Sequence, residues 1–311
     1  MSNLIVIPLL TFLLGFALVR ANTCTVTNTR TAVTKRDFGG LLGLVYAMAW
    51  AGITGLALSL FAPSAFLLPS DITLDLTIIV GGIIMGIGAI INNACFMGSV
   101  TRLGRGNLNY IFTLIGLGAS LFLFSYQFTH WLPNDKALAL ISIEESPKWF
   151  VGFFLFSLIV AMSLWRLYKT QNKRIIALAF VGIFGGLLFA FEPGWTYSTL
   201  FFTLWTWPDD IQIWFSELSA IAIFSGALLS AYLVTKLTLV KFEAMAALRS
   251  LLGGFLMGFG AKLVPGGNDS LLLWAIPGSA YYAIIGYAIM ILTIAVFVYF
   301  FEHRKLKLSR A

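Results

Sequence analysis

Charge is what this 311-residue chain has least of: Asp, Glu, Lys and Arg make up only 11% of it, against about 25% in soluble domains. With 59% apolar residues, a soluble fold would be left with an unhydrated surface, and a soluble enzyme is excluded. Cysteine is rare too, and two residues, Cys24 and Cys95, cannot build a disulfide framework. Also absent are G-x-x-x-x-G-K-[ST], H-E-x-x-H and C-x-x-C, which argues against ATP-driven work by this chain alone, zinc hydrolysis and a paired-thiol redox centre. No cofactor, metal ligand or catalytic residue is expected. The first 19 residues carry no charge and Arg20 follows them, so they read as a retained helix rather than a signal peptide. The net charge of +7 comes from basic residues scattered between apolar runs; it reports topology, not a nucleic-acid partner.

Uncharged stretches run from Phe38 to Ser70, Leu76 to Thr101, Gly106 to Asn134 and Ser270 to Phe301. Each exceeds the roughly 20 residues that cross about 30 Å of hydrocarbon. They are apolar all round, unlike the alternating strands of a membrane β-barrel, so the expected fold is an all-α polytopic membrane protein. About nine spans are predicted, over 3–19, 39–61, 76–92, 108–126, 149–166, 175–191, 212–235, 250–264 and 279–301. Most basic residues then fall on one side, in clusters such as Arg20 to Arg36, Arg102 with Arg105, Arg166 to Arg174 and Arg304 to Arg310. The positive-inside rule puts the N-terminus outside and the C-terminus in the cytoplasm.

The chain repeats itself. GGIIMGIGA at 81–89 matches GGFLMGFGA at 253–261 at six of nine positions, an offset of 172, and GFALVRANTCT from Gly15 has a weaker echo in GLLFAFEPGWT from Gly186. An extra span between the halves makes the repeats inverted, with 1–130 as the first, 131–171 as a linker carrying the extra helix, and 172–311 as the second with a basic cytoplasmic tail. Inverted halves place a binding site near the midplane. The glycines also serve close helix packing.

Each glycine-rich span ends in helix-breaking residues, INNACFMGSVTRLG after the first and KLVPGGNDSLLLW after the second. Broken helices at membrane depth are tolerated when they are buried in protein or face a cavity. Short re-entrant helices starting there would aim unpaired N–H groups and a partial positive charge at the midplane, which suits an anion.

The segments RANTCTVTNTRTAVTKRDFGG (20–40), INNACFMGSVTRLGRGNLNYI (91–111) and GGFLMGFGAKLVPGGNDSLLLWAIPG (253–278) resemble the signature stretches of the YeeE/YedE family, the sulfur-transport or thiosulfate-transporter family. The resemblance implies an hourglass of inverted repeats in the bacterial inner membrane and uptake of a small sulfur-containing anion along a path of cysteine thiols. Cys24 and Cys95 match two path cysteines of that family. At the place of the third, aligned with Cys95 at the offset of 172, stands Gly267, followed by Asn268 and Asp269; this PGGND branch is expected to take thiosulfate or a related sulfur or selenium species.

A neutral thiol holds a soft anion loosely, and loose holding is what conduction requires. The path residues expected are Cys24, Cys95, Asn92, Asn93, Gly266, Gly267, Asn268 and Asp269. Either cysteine can equally be a small buried hydrophobe, and the two asparagines can serve an anion or the backbone at the helix end. Asn268 stands where it can replace the missing thiol as donor. Asp269 is a salt-bridge partner of Lys262, a proton-coupling group, or a residue outside the membrane. Arg102 and Arg105 mark the cytoplasmic edge, Glu217 is an intramembrane carboxylate of interest, and His130 and His303 are read as no ligand. The rival reading is a membrane-embedded sulfur relay, with persulfide carried on Cys95 to or from a soluble sulfurtransferase; it needs a thiolate reachable from the cytoplasm.

Overall fold

The computed structural model describes residues 3–61, 72, 74–126, 148–192, 194–197, 211–234 and 237–303. The basic tail after 303, His130 and residues 131–147 of the linker 131–171 lie outside them. Among the described residues regular structure is helical, with one isolated bridge between Asn107 and Val240. The helices are α1 (Asn3–Ala21), α2 (Thr25–Lys35), α3 (Gly39–Phe61), α4 (Leu76–Asn92), α5 (Phe96–Gly104), α6 (Ile111–Tyr126), α7 (Lys148–Thr170), α8 (Lys173–Phe191), α9 (Ile211–Val234), α10 (Ala244–Leu263), α11 (Asn268–Ser270, prolonged by a π turn Leu271–Ala275) and α12 (Tyr281–Phe297). Eight helical stretches are long and apolar enough to cross a membrane, and α6 is a shorter apolar helix preceded by a 3-10 turn at Leu108–Tyr110.

Two helices extend four or more residues beyond their apolar runs. α7 continues to Thr170 past Arg166 and Lys169, and Lys169 lies over the Trp165 ring, because a long basic side chain can lay its stem along the helix and keep its charge in water. α10 begins at Ala244, not 250, since the alanine-rich turns before Arg249 and Ser250 favour helix, and the Glu243 N–H just before them donates to Asn109 Oδ1 at 3.1 Å.

The core is an antiparallel pair, α4 on α10, whose backbones meet at glycine. A methyl group on Gly81 would stand 3.0 Å from the Gly260 carbonyl oxygen, and one on Gly88 would stand 2.8 Å from that of Gly253. Gly253 is the repeat of Gly81, and Gly260 of Gly88. Exchanging the halves therefore maps the contact onto itself, which requires a two-fold axis across the helices. Since the helices cross the bilayer, the axis lies in its plane and the repeats are inverted. The flanks obey the same exchange: α12 packs on α4 at Gly82 and Gly86, and α6 on α10 at Gly254 and Gly258. Further out, Gly15 of α1 touches the Ile223 carbonyl of α9, as Gly186 of α8 touches that of Ala51 in α3.

Helix α7 stands outside this symmetry. It packs on α3, where Gly52 receives the Phe156 ring, and Trp50 Nε1 donates to Ser163 Oγ at 3.2 Å. Its other faces carry exposed Val151, Phe154, Leu158 and Trp165, which suits lipid as solvent.

Replacing Gly253 by leucine forces side-chain atoms into Asn92 and the Gly88 carbonyl, a backbone collision that repacking does not relieve. We expect Gly253→Leu to lose the monodisperse peak in detergent chromatography, while Gly152→Ala, with only Phe156 at 3.8 Å, behaves like the native chain. Equal behaviour of the two variants would contradict the packing described.

Candidate functional site

Three helices stop inside the bundle and three short ones start there. α1 ends at Ala21, and Asn22 turns the chain with φ 52°. The carbonyls at that end are satisfied by arginines from elsewhere: Arg105 Nη2 donates to Val19 O at 2.9 Å, and Arg174 donates through Nε to Ala21 O at 2.8 Å and through Nη2 to Asn22 O at 3.3 Å. Basic groups at a helix C-terminus complement its dipole. α2 then starts after Cys24.

α4 ends at Asn92, with Asn93 in the left-handed conformation. The Asn92 side chain is consumed by the turn, since Nδ2 donates to Ala94 O and Ser99 Oγ, both at 2.9 Å, and Oδ1 accepts from Thr113 at 2.7 Å. Asn93 Oδ1 accepts from Arg30 Nη1 at 2.7 Å. α5 starts after Cys95. α10 ends at Leu263, and Gly266 adopts φ 149°, a conformation that favours glycine. α11 starts after Gly267.

The three new N-termini meet. The Phe96 N–H donates to Asn268 Oδ1 at 3.1 Å, across a separation of 172 residues, so the two residues are each other's repeat mates. The Thr25 N–H donates to Cys95 Sγ at 3.3 Å, and the thiols of Cys24 and Cys95 lie within interaction range of each other. Both cysteines are free and buried, and neither side chain caps its own helix. Thr25 Oγ1 and the Tyr287 hydroxyl lie 3.0 Å apart. Asn268 has no exposed surface, and its Nδ2 has no hydrogen-bond partner among the described residues. The centre thus holds soft sulfur, one free amide donor and the positive ends of helix dipoles.

A cavity of about 300 Å³ leads to this centre, walled by Gly194–Tyr197, Lys262, Pro265–Gly267, Asp269, Ser270, Leu117, Leu121 and Phe96. Asp269 is buried, and its carboxylate is bonded to the Tyr197 hydroxyl. Lys262 shares the cavity wall but forms no ion pair with Asp269. Trp195 stacks edge-on with Tyr197, at 4.9 Å between centroids, and donates to Ser219 Oγ at 2.6 Å. Glu217 is buried in α9 near that serine. Among the described residues no cluster of His, Cys, Asp and Glu could hold a metal ion.

The sequence therefore pointed to both cysteines and to the Gly266–Asp269 break, which the structure brings together. It pointed also to Asn92, whose amide serves the turn and whose oxygen accepts from Thr113, and to Asn93, whose oxygen accepts from Arg30. It missed Tyr197 and Trp195. The signal was present: the echo GLLFAFEPGWT sets Trp195 opposite Cys24.

A family model described as sulphur transport matches the chain over residues 20–179 and again over 133–296. No curated protein matches it in sequence.

With Cys24 at 5% and Cys95 at 0% exposure, neither thiol meets solvent. A membrane-impermeant maleimide added to intact vesicles should leave both unlabelled, and two thiols should react after denaturation. Rapid labelling of Cys95 in intact vesicles would contradict the closed arrangement.

Proposed function

The chain belongs to the sulphur transport family and is a multi-pass membrane protein, and we propose that it takes up a small sulfur-containing anion, thiosulfate or a related sulfur or selenium species, across the bacterial inner membrane. The observation that carries this reading is the meeting of the α2, α5 and α11 N-termini at Cys24, Cys95 and Asn268. With the N-terminus outside, the cavity beside Lys262 opens to the exterior, and the C-terminal ends of α2 and α5, with Lys35, Arg102 and Arg105, face the cytoplasm.

Thiosulfate has a soft terminal sulfur and hard oxygens, and the centre offers a partner to each. The thiols suit the sulfur, and Asn268 Nδ2 suits an oxygen. A buried donor left without a partner costs about 1–3 kcal/mol, and a passing anion relieves that cost. Gly267 stands where the family resemblance puts a third cysteine, but a side chain there would meet Asp269 Oδ1 at 2.5 Å and the Phe96 ring at 3.0 Å. The amide next to it supplies a donor in its place. A persulfide relay on Cys95 is the poorer reading, because a sulfur with 0% exposure offers nothing for a soluble sulfurtransferase to reach.

The test is uptake of radiolabelled thiosulfate by a bacterium lacking its own sulfate and thiosulfate importers. The native chain should restore uptake. Cys95→Ser should lower it about tenfold, the equivalent of about 1.4 kcal/mol of lost contact, and Asn268→Asp should abolish it by placing a carboxylate in the path of an anion. Absence of uptake by the well-expressed native chain would refute thiosulfate as substrate, and unchanged uptake by Cys95→Ser would refute the thiol contact.

A further inference from the structure

We propose that Asp269 is a proton-binding group of the transport path, so that the anion passes only while this carboxyl is protonated. The inference rests on the permease reading above and adds a pH dependence to it. Its basis is placement. The carboxylate of Asp269 is 5% exposed and forms part of the wall of the 300 Å³ cavity. Its Oδ1 lies 2.5 Å from where a Cβ of residue 267 would be, and residue 267 is the repeat mate of Cys95. In the second half of the molecule the acid fills the space that the first half gives to a thiol.

The groups around it do not neutralise it. From the loop after α8 comes the Tyr197 hydroxyl, which is bonded to the carboxylate. From α5 come the Phe96 ring and the Cys95 thiol, from α2 the Cys24 thiol, and from α12 the Tyr287 hydroxyl, with Tyr197, Tyr287 and Cys95 in electrostatic range of one another or of Asp269. From α10 comes Lys262, the one cation among these, which shares the cavity without pairing with Asp269. An ionised Asp269 therefore puts a fixed negative charge with no paired cation on the wall of a passage for a dianion, and like charges at close range in a low dielectric repel. A proton taken from cavity water removes that charge. The hydrogen bond with Tyr197 then reverses, the protonated carboxyl being able to donate where the carboxylate accepted.

The experiment uses the purified full chain in liposomes, with the membrane voltage clamped and radiolabelled thiosulfate as the probe. This anion stays fully ionised across the range from about pH 6 to about pH 8, so only the protein titrates. The initial rate of the native chain should fall with rising pH, approaching tenfold per unit above the midpoint of the carboxyl. Asp269→Asn should be flat over the same range. Tyr197→Phe removes a hydrogen bond that favours the ionised form, so its fall should move to higher pH. Lys262→Gln should be slower at every pH with the slope kept. A flat native profile would overturn the proposal, as would an Asp269→Asn variant that keeps the native slope or a Tyr197→Phe variant whose fall stays in place. If the native chain moves no thiosulfate at any pH, the permease reading fails and this inference falls with it.

Discussion

A helix that ends in the middle of a bilayer leaves its first N–H groups and last C=O groups where no water can take them, and each one left bare costs several kcal/mol. Everything near the centre of this molecule answers that constraint. The last carbonyls of α1 receive Arg105 and Arg174. The turn after α4 is closed by Asn92, which bonds to Ala94, Ser99 and Thr113. The Phe96 N–H at the start of α5 finds Asn268, and the Thr25 N–H at the start of α2 finds Cys95. Such donors can reach their acceptors only if the long helices hold the breaks in register, which the glycine contacts of α4 on α10 do by bringing backbone against backbone.

The two-fold axis explains the scaffold and not the chemistry. Equivalent glycines make equivalent contacts in both halves, so a single packing solution serves twice. At the breaks the equivalence is abandoned: Cys95 faces Gly267, and Phe96 faces Asn268. The asymmetry gives the centre two different sides. One presents thiols, and the other presents a cavity with Lys262, Asp269 and Tyr197 on its wall.

The scaffold was legible in the chain because its signals are local or periodic. Apolar runs gave the spans, the offset of 172 gave the repeat, and PGG and NNAC marked the breaks. α6 was foreshortened, since its first residues form a 3-10 turn that apolarity cannot distinguish from helix. The partners at the site were not legible. Nothing near Asp269 in the chain announces Tyr197, seventy-two positions earlier, and a salt bridge with Lys262, seven positions before it, was one of three readings and is not formed. Asn92 looked as available as Asn268, yet only the structure shows one amide spent on the turn and the other left with a bare Nδ2. Hydrogen-bond satisfaction is a property of the packed state, and spacing along a chain does not carry it.

Among the described residues no basic side chain stands at the point where Cys24, Cys95 and Asn268 meet, and this suits the permease proposed above. An arginine there would pair with an oxyanion through two short charge-assisted bonds and hold it. Helix ends, a thiol and an amide would each attract an anion weakly, and several weak contacts in series would let it move on. The strong charges are kept at the two approaches, with Lys262 on the cavity wall and Arg102 and Arg105 at the far end of α5. Attraction from a distance with weak holding at the centre is the arrangement that favours flow over capture.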